Sequence, residues 1–280
     1  METQFESAQR MYNARAKTYE DSWHPEYSQR FVSHLAVKPG MRILDLCCGT
    51  GLEAFLLADL VGDTGEVIGV DATEGMLAEL RARQAREPAL GRRIRTFRHD
   101  ATDLASLAAL APGSFDYVVC SNAFVLFADP AAVVRAWRPY LRPGSGVLAV
   151  DVTHEHNMRA GVLVERAARR MGLTWPSNRS WVVSRESFAE VLAAEGYVVD
   201  AVEELHKVTG RRETYFTVDQ ADEQFDALMA TALSAFMLRG DAERSTARAL
   251  FREEFAAAAV DGKVEVVDSL YLYLARTAPA

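Results

Sequence analysis

Short apolar runs alternating with longer, helix-periodic segments predict an α/β protein whose core is a doubly wound, mostly parallel sheet of seven strands. Three observations carry this reading. Ile43-Leu44-Asp45-Leu46 runs into Gly49 and Gly51 and then into an apolar-periodic stretch, Ala54 to Val61, which is the pattern of a buried strand, a tight turn and a helix start. Twenty residues after Gly51 a second apolar run, Val67-Ile68-Gly69-Val70, ends in Asp71. A third, Ile94 to His99, ends in Asp100-Ala101, so three successive strands each bring an acid, Asp45, Asp71 and Asp100.

Gly49 and Gly51 lack a Cβ, so the turn can take positive φ and a ligand can approach the main chain. An acid at the tip of the second strand of a βαβ unit accepts hydrogen bonds from ribose hydroxyls, which is the role expected of Asp71. Asp45, where the ligand would lie, suits a cationic group better than a phosphate. Together these residues describe a nucleoside with a positive or zwitterionic arm and no phosphate. S-adenosylmethionine (SAM) fits, with its ribose on Asp71, its ammonium near Asp45 and the main chain beneath Gly49 and Gly51. The competing reading is an NAD-binding or purely structural turn.

At these residues the chain resembles the class I SAM-dependent methyltransferases, in particular the small-molecule group that includes the ubiquinone- and menaquinone-pathway enzymes. The resemblance is good over roughly residues 10 to 155 and looser beyond. It implies the Rossmann-like, seven-stranded methyltransferase fold, SAM as cofactor and S-adenosylhomocysteine as product. Its organisation here would be a helical N-terminal cap (1–38), a SAM-binding core (39–216), a helical lid inserted before the last strand (217–260) and that last strand (261–280). The resemblance also implies site roles. Ala16-Lys17-Thr18-Tyr19-Glu20 is similar to an Ala-x-x-Tyr-Asp pattern whose tyrosine touches the cofactor, with Glu in place of Asp. Met76 packs on adenine, Asp100 accepts from the adenine amine, and Ala101 admits the ring. Ser121 offers backbone groups to the methionyl arm and Asn122 faces the methyl-transfer zone. Cys47 and Ala72 complete the cofactor-binding set.

At 280 residues with a charged fraction of 25%, the chain is long enough for one large soluble domain. A net charge of −8 tilts against a general nucleic-acid binder, which must neutralise phosphates. Cys47, Cys48 and Cys120 form no CxxC pair, so neither zinc nor a disulfide framework is expected, and a reducing, cytoplasmic setting is. No run approaches membrane-span length. The acceptor is expected to be a small molecule; the oligomeric state is open, with a homodimer among the options.

The remaining elements follow in order. Phe5, Met11, Tyr12 and Ala16 are spaced for one face of an N-terminal helix, and a second helical stretch runs from Tyr27 to Leu35. Thr73 is a candidate N-cap for a helix reaching Arg86, with Glu74 suited to its positive end. Phe115 to Cys120 is the fourth strand, and Ser121-Asn122-Ala123-Phe124 lies at its tip, the edge where open α/β sheets bind ligands. This tetrapeptide departs from the Asn/Asp-Pro-Pro-Tyr motif of nucleobase and glutamine methylation. Ala131 to Leu141 reads as helix, Gly146 to Asp151 as the fifth strand and Gly161 to Met171 as helix. A helix opened by Ser184 or Ser187 leads to the sixth strand at Gly196. Two helical stretches, about Asp222–Arg239 and Ala242–Ala258, precede a last strand from Val264 to Arg276. Phe225, Leu228, Met229, Leu233, Phe236 and Met237 form a stripe that can pack on the sheet and line an apolar substrate pocket.

His154 and His156 straddle Glu155 just after the fifth strand and are the candidate general bases, since imidazole can take a hydroxyl proton near neutral pH. Surface or structural histidines are the simpler alternative, and the spacing is not that of a helical zinc site. The expected activity is methyl transfer from SAM to an oxygen, carbon or nitrogen of a small molecule, in a specialised-metabolism setting. The alternatives are a cyclase or isomerase that leaves the methyl group in place, and a SAM-sensing module.

Overall fold

The computed structural model describes residues 4–173, 175, 177–230, 238 and 240–278. Its strands are β1 (Arg42–Leu46), β2 (Glu66–Asp71), β3 (Ile94–Arg98), β4 (Tyr117–Cys120), β5 (Val147–Thr153), β6 (Tyr197–His206), β7 (Thr214–Thr217), β8 (Lys263–Val266) and β9 (Ser269–Thr277). Seven form one sheet in the order β3-β2-β1-β4-β5-β9-β6. The first five run parallel, and β9 lies antiparallel between β5 and β6. The strand order reverses between β1 and β4, which opens a crevice at their carboxyl ends. Strands covered on both faces read as continuous apolar runs, and β1 does: Ile43, Leu44 and Leu46 are fully buried.

The helices are α1 (Gln4–Arg15), α2 (His24–Ser33), α3 (Leu52–Val61), α4 (Glu74–Arg86), the short α5 (Pro88–Gly91), α6 (Pro130–Trp137), α7 (Arg159–Arg170), α8 (Glu186–Ala194), α9 (Ala221–Met229) and α10 (Asp241–Ala257). On one face of the sheet, Phe115, Phe124, Trp137 and Phe188 gather α6 and α8 over β4 and β5. On the other, Phe31, Phe55, Leu77 and Leu80 pack α2, α3 and α4 over β1 and β2.

Three expectations change. The last strand is two strands. β8 leaves the main sheet to pair with β7, and only β9 joins β5 and β6. Asp268 lies at the break: it is buried, and its carboxylate accepts from the backbone N–H groups of Thr209 and Arg211 at 2.9–3.0 Å. The apolar stripe of α9 does not pack on the sheet. Phe225 joins Phe251 and Phe255 of α10 and Leu163, Val164 and Ala168 of α7 in a separate small core. Leu233, Phe236 and Met237 lie outside the described residues. Thr73 precedes α4 but its hydroxyl makes no cap bond; Asp71 Oδ1 takes the Thr73 N–H instead, at 2.7 Å.

Candidate active site

The crevice holds a cavity of about 250 Å³ at the tips of β1, β2 and β4. Its floor is the turn after β1. Cys47 and Gly49 have φ of 58° and 54°, so the backbone arches over rather than continuing the strand. Gly51 has φ of 88°, and a Cβ there would lie 2.8 Å from Leu80 of α4, so only glycine lets α3 start this close to its neighbour. Gly51 therefore shapes the turn and does not itself line the cavity.

Asp71 is fixed before any ligand arrives. Oδ2 accepts from Gly49 N–H at 2.9 Å and Oδ1 from Thr73 N–H at 2.7 Å, which joins the tips of β1 and β2. Beside it, Asp100 Oδ1 accepts from the Thr102 N–H and hydroxyl, both at 2.8 Å, while Oδ2 has no hydrogen-bond partner among the described residues. Ala101 closes the slot, its carbonyl held by the Trp137 indole N–H at 2.8 Å. Ala72 and Met76 form the opposite wall. At the tip of β4, Asn122 takes a left-handed conformation, φ 53°, held because its N–H donates to both oxygens of Asp151 at 2.9 and 3.0 Å.

The roof comes from the N-terminal segment. Gln9 of α1 donates to the Ala72 carbonyl at 3.0 Å, and Asn13 accepts from Gly75 N–H at 2.9 Å. These bonds hold Phe5, Tyr12 and Tyr19 over the cavity, opposite Leu126 and Phe127. Burial raises both tyrosine hydroxyls above their ordinary pKa, so they are neutral donors.

Acid gathers beneath this cavity. Asp45, Glu53, Asp71 and Asp151 are all buried, and burial raises the pKa of each. Asp151 reaches about 7; hydrogen bonds from Tyr27 and Asn122 hold it below what burial alone would give. The carboxyls of Glu53 and Asp71 raise Asp45 further, and Asp45 Oδ2 is buried without a hydrogen-bond partner. No basic side chain contributes to any of the four shifts.

Residues 43–144, the span from β1 to the turn before β5, match the family described as a methyltransferase domain. The chain is 38% identical over 135 residues to an arsenite methyltransferase of Aquipseudomonas alcaligenes, covering 46% of this chain and 39% of that one. It is 35% identical over 129 residues to a 2-phytyl-1,4-naphtoquinone methyltransferase of Synechococcus elongatus, covering 46% of this chain and 53% of that one. It thus spans about half or less of the length of these relatives. Among solved structures, the [4+2]-cyclase SpnF shares the fold with a TM-score of 0.55 at 21% identity, over 91% of this chain and 81% of that one.

Of the residues singled out in the sequence, Tyr19, Cys47, Gly49, Asp71, Ala72, Met76, Asp100, Ala101, Ser121 and Asn122 line this cavity. Asp45 does not: it is 1% exposed and lies below the turn. His154 and His156 also stand away from it. β5 pairs with β9 to its end, and the chain then turns over that edge. There His154 stacks on Tyr271 with ring centres 4.8 Å apart, and His156 Nδ1 lies 2.7 Å from Glu265. No described residue of 217–260 lines the cavity. Phe5, Gln9, Tyr12, Thr102, Leu126 and Phe127 line it without having been singled out for it. Tyr12 was visible only as one position of an amphipathic face, and Leu126 and Phe127 gave no signal beyond following the fourth strand. Among the described residues no group of three or more His, Cys, Asp or Glu is placed to hold a metal ion. None of their helices is long and apolar enough to cross a membrane.

Proposed function

We propose that this protein binds SAM in the crevice between β1, β2 and β4 and transfers its methyl group to a small-molecule acceptor. The observation that carries the reading is the single cavity wall made by Gly49, Asp71, Asp100 and Ala101, with the buried carboxyl of Asp45 close by. Asp71 keeps lone pairs free for ribose hydroxyls while two backbone N–H groups fix its plane. The unbonded Asp100 Oδ2 suits an exocyclic amine, and Met76 and Ala101 leave a flat apolar slot for a purine. The acids beneath favour a ligand carrying a sulfonium and an ammonium. SAM, when bound, supplies an electrophilic methyl group on sulfur.

The protein's own share of the chemistry is then placement and dryness. Direct displacement at a methyl carbon needs the acceptor atom held in line and water excluded. α1 brings Phe5 and Tyr12 down over the mouth, and Leu126 and Phe127 close the other side, so the acceptor end is apolar and aromatic. That lining favours a flat, apolar acceptor. No histidine lines this cavity, and the reading gives no part to His154 or His156. The cap is assigned to the N-terminal segment.

The test is to incubate the protein with methyl-labelled SAM and a panel of phenolic, quinol and amine acceptors. Mass spectrometry should find a product heavier by the labelled methyl together with S-adenosylhomocysteine. Rearranged product with SAM intact would instead mark the cyclase-type use of this fold.

A further inference from the structure

Next to the main cavity is a side chamber of about 20 Å³, sharing Tyr19, Cys47, Gly49, Ser121 and Asn122 as walls. Its other walls include His24, Ser28 and Glu53. The volume is that of one water-sized group. The His24 ring lies between Tyr19 and Trp23, with ring centres 4.1 Å from each, and its Nδ1 is bonded to the Ser22 hydroxyl at 2.5 Å. Desolvation lowers the His24 pKa to about 4, so the ring adds no positive charge at neutral pH. Glu53, in the first turn of α3, is 9% exposed and accepts from the Ser28 hydroxyl at 2.6 Å. Asp45 lies close enough for Glu53 to raise its pKa, and its Oδ2 is buried without a partner.

We propose that this chamber binds a primary ammonium group, that of the cofactor's amino-acid arm, and that Glu53 is the counter-ion. The inference rests on the SAM reading and changes the residue that serves the arm. In the sequence the natural partner was Asp45. In the fold Asp45 lines neither cavity, and Glu53 presents its carboxylate to the space beside the glycine turn. An ammonium there lies among Glu53, Ser121 and Tyr19, which line the chamber.

The ammonium of an amine acceptor has the same chemistry, and the test separates the two sources. S-adenosylhomocysteine and its deamino analogue, 5′-S-(3-carboxypropyl)-5′-thioadenosine, differ only in the amino group. Calorimetry on the wild-type protein should give roughly ten-fold weaker binding of the analogue. Glu53→Gln keeps the shape and an acceptor for Ser28; it should weaken S-adenosylhomocysteine roughly ten-fold and leave the analogue within about two-fold. Equal affinity of the wild type for the two ligands overturns the proposal and leaves the chamber to an amine acceptor or to water. Equal loss of both in Glu53→Gln overturns it in favour of a structural role. The wild-type comparison needs no variant, so it stands even if Glu53→Gln fails to fold. Absence of binding by either ligand would contradict the SAM reading itself, a distinct result.

Discussion

Single side chains in this site do their work largely by fixing backbone. Asp71 ties the turn after β1 to the tip of β2, and Asp151 holds Asn122 in its left-handed conformation. Asp151 also accepts from Tyr27 of α2 at 2.6 Å, so one buried carboxylate joins the N-terminal segment to the β4 tip. Its pKa of about 7, against an ordinary carboxyl near 4, sets a sign. The folded protein holds this proton more tightly than the unfolded chain, so the contribution to stability is full at low pH and is lost as pH climbs toward and through 7. Asp151→Asn removes the titration. The stability of the variant relative to wild type, from denaturant melts, should therefore rise between pH 5 and pH 8. A difference independent of pH would show that Asp151 has an ordinary pKa. Asp71 and Asp100 were legible in the sequence because each follows an apolar run at a strand tip. Glu53 was not, because a first-turn acid is what any helix N-terminus favours. Asp151 read only as the end of a strand, since its partner Tyr27 is 124 positions away.

At the scale of elements, the strand–turn–helix unit after β1 was the most legible feature, because positive φ at glycine and close helix packing leave few residue choices. Gly51 is its least replaceable position. Gly51→Ala would place a methyl 2.8 Å from Leu80 Cγ at a φ of 88°. Overlap and strain together should cost about 1–3 kcal/mol of stability by denaturant melt. Leu80→Ala in the same chain should recover the overlap part but not the strain. Unchanged stability in Gly51→Ala would show that the turn is looser than described. The least legible elements were those whose place depends on distant pairing. The last strand read as continuous because Val264 to Arg276 is apolar nearly throughout, and nothing local announces that Asp268 turns inward to cap the loop at Thr209 and Arg211. The histidines after β5 were attractive for their chemistry. Their direction is set by β9, which enters the sheet more than a hundred residues later.

Over the whole molecule, two layers of helices bury the sheet, and a third small core of α7, α9 and α10 stands apart from the cavity. The fold class followed from periodicity, the spacing of glycines and acids, and the family resemblance they carry. The location of the third core did not, because an apolar stripe does not say which neighbour it faces. What the assembly achieves is a crevice at the point where strand order reverses, roofed by α1 and walled in part by Asp71 and Asp100. The central claim is that this crevice holds SAM, and calorimetric titration of SAM into wild-type protein and into Asp71→Ala tests it most directly. The account predicts saturable binding to the wild type and a loss of about 1–3 kcal/mol in the variant, as ribose acceptors leave a buried site. Failure of the wild type to bind SAM, or equal affinity in both proteins, would contradict it.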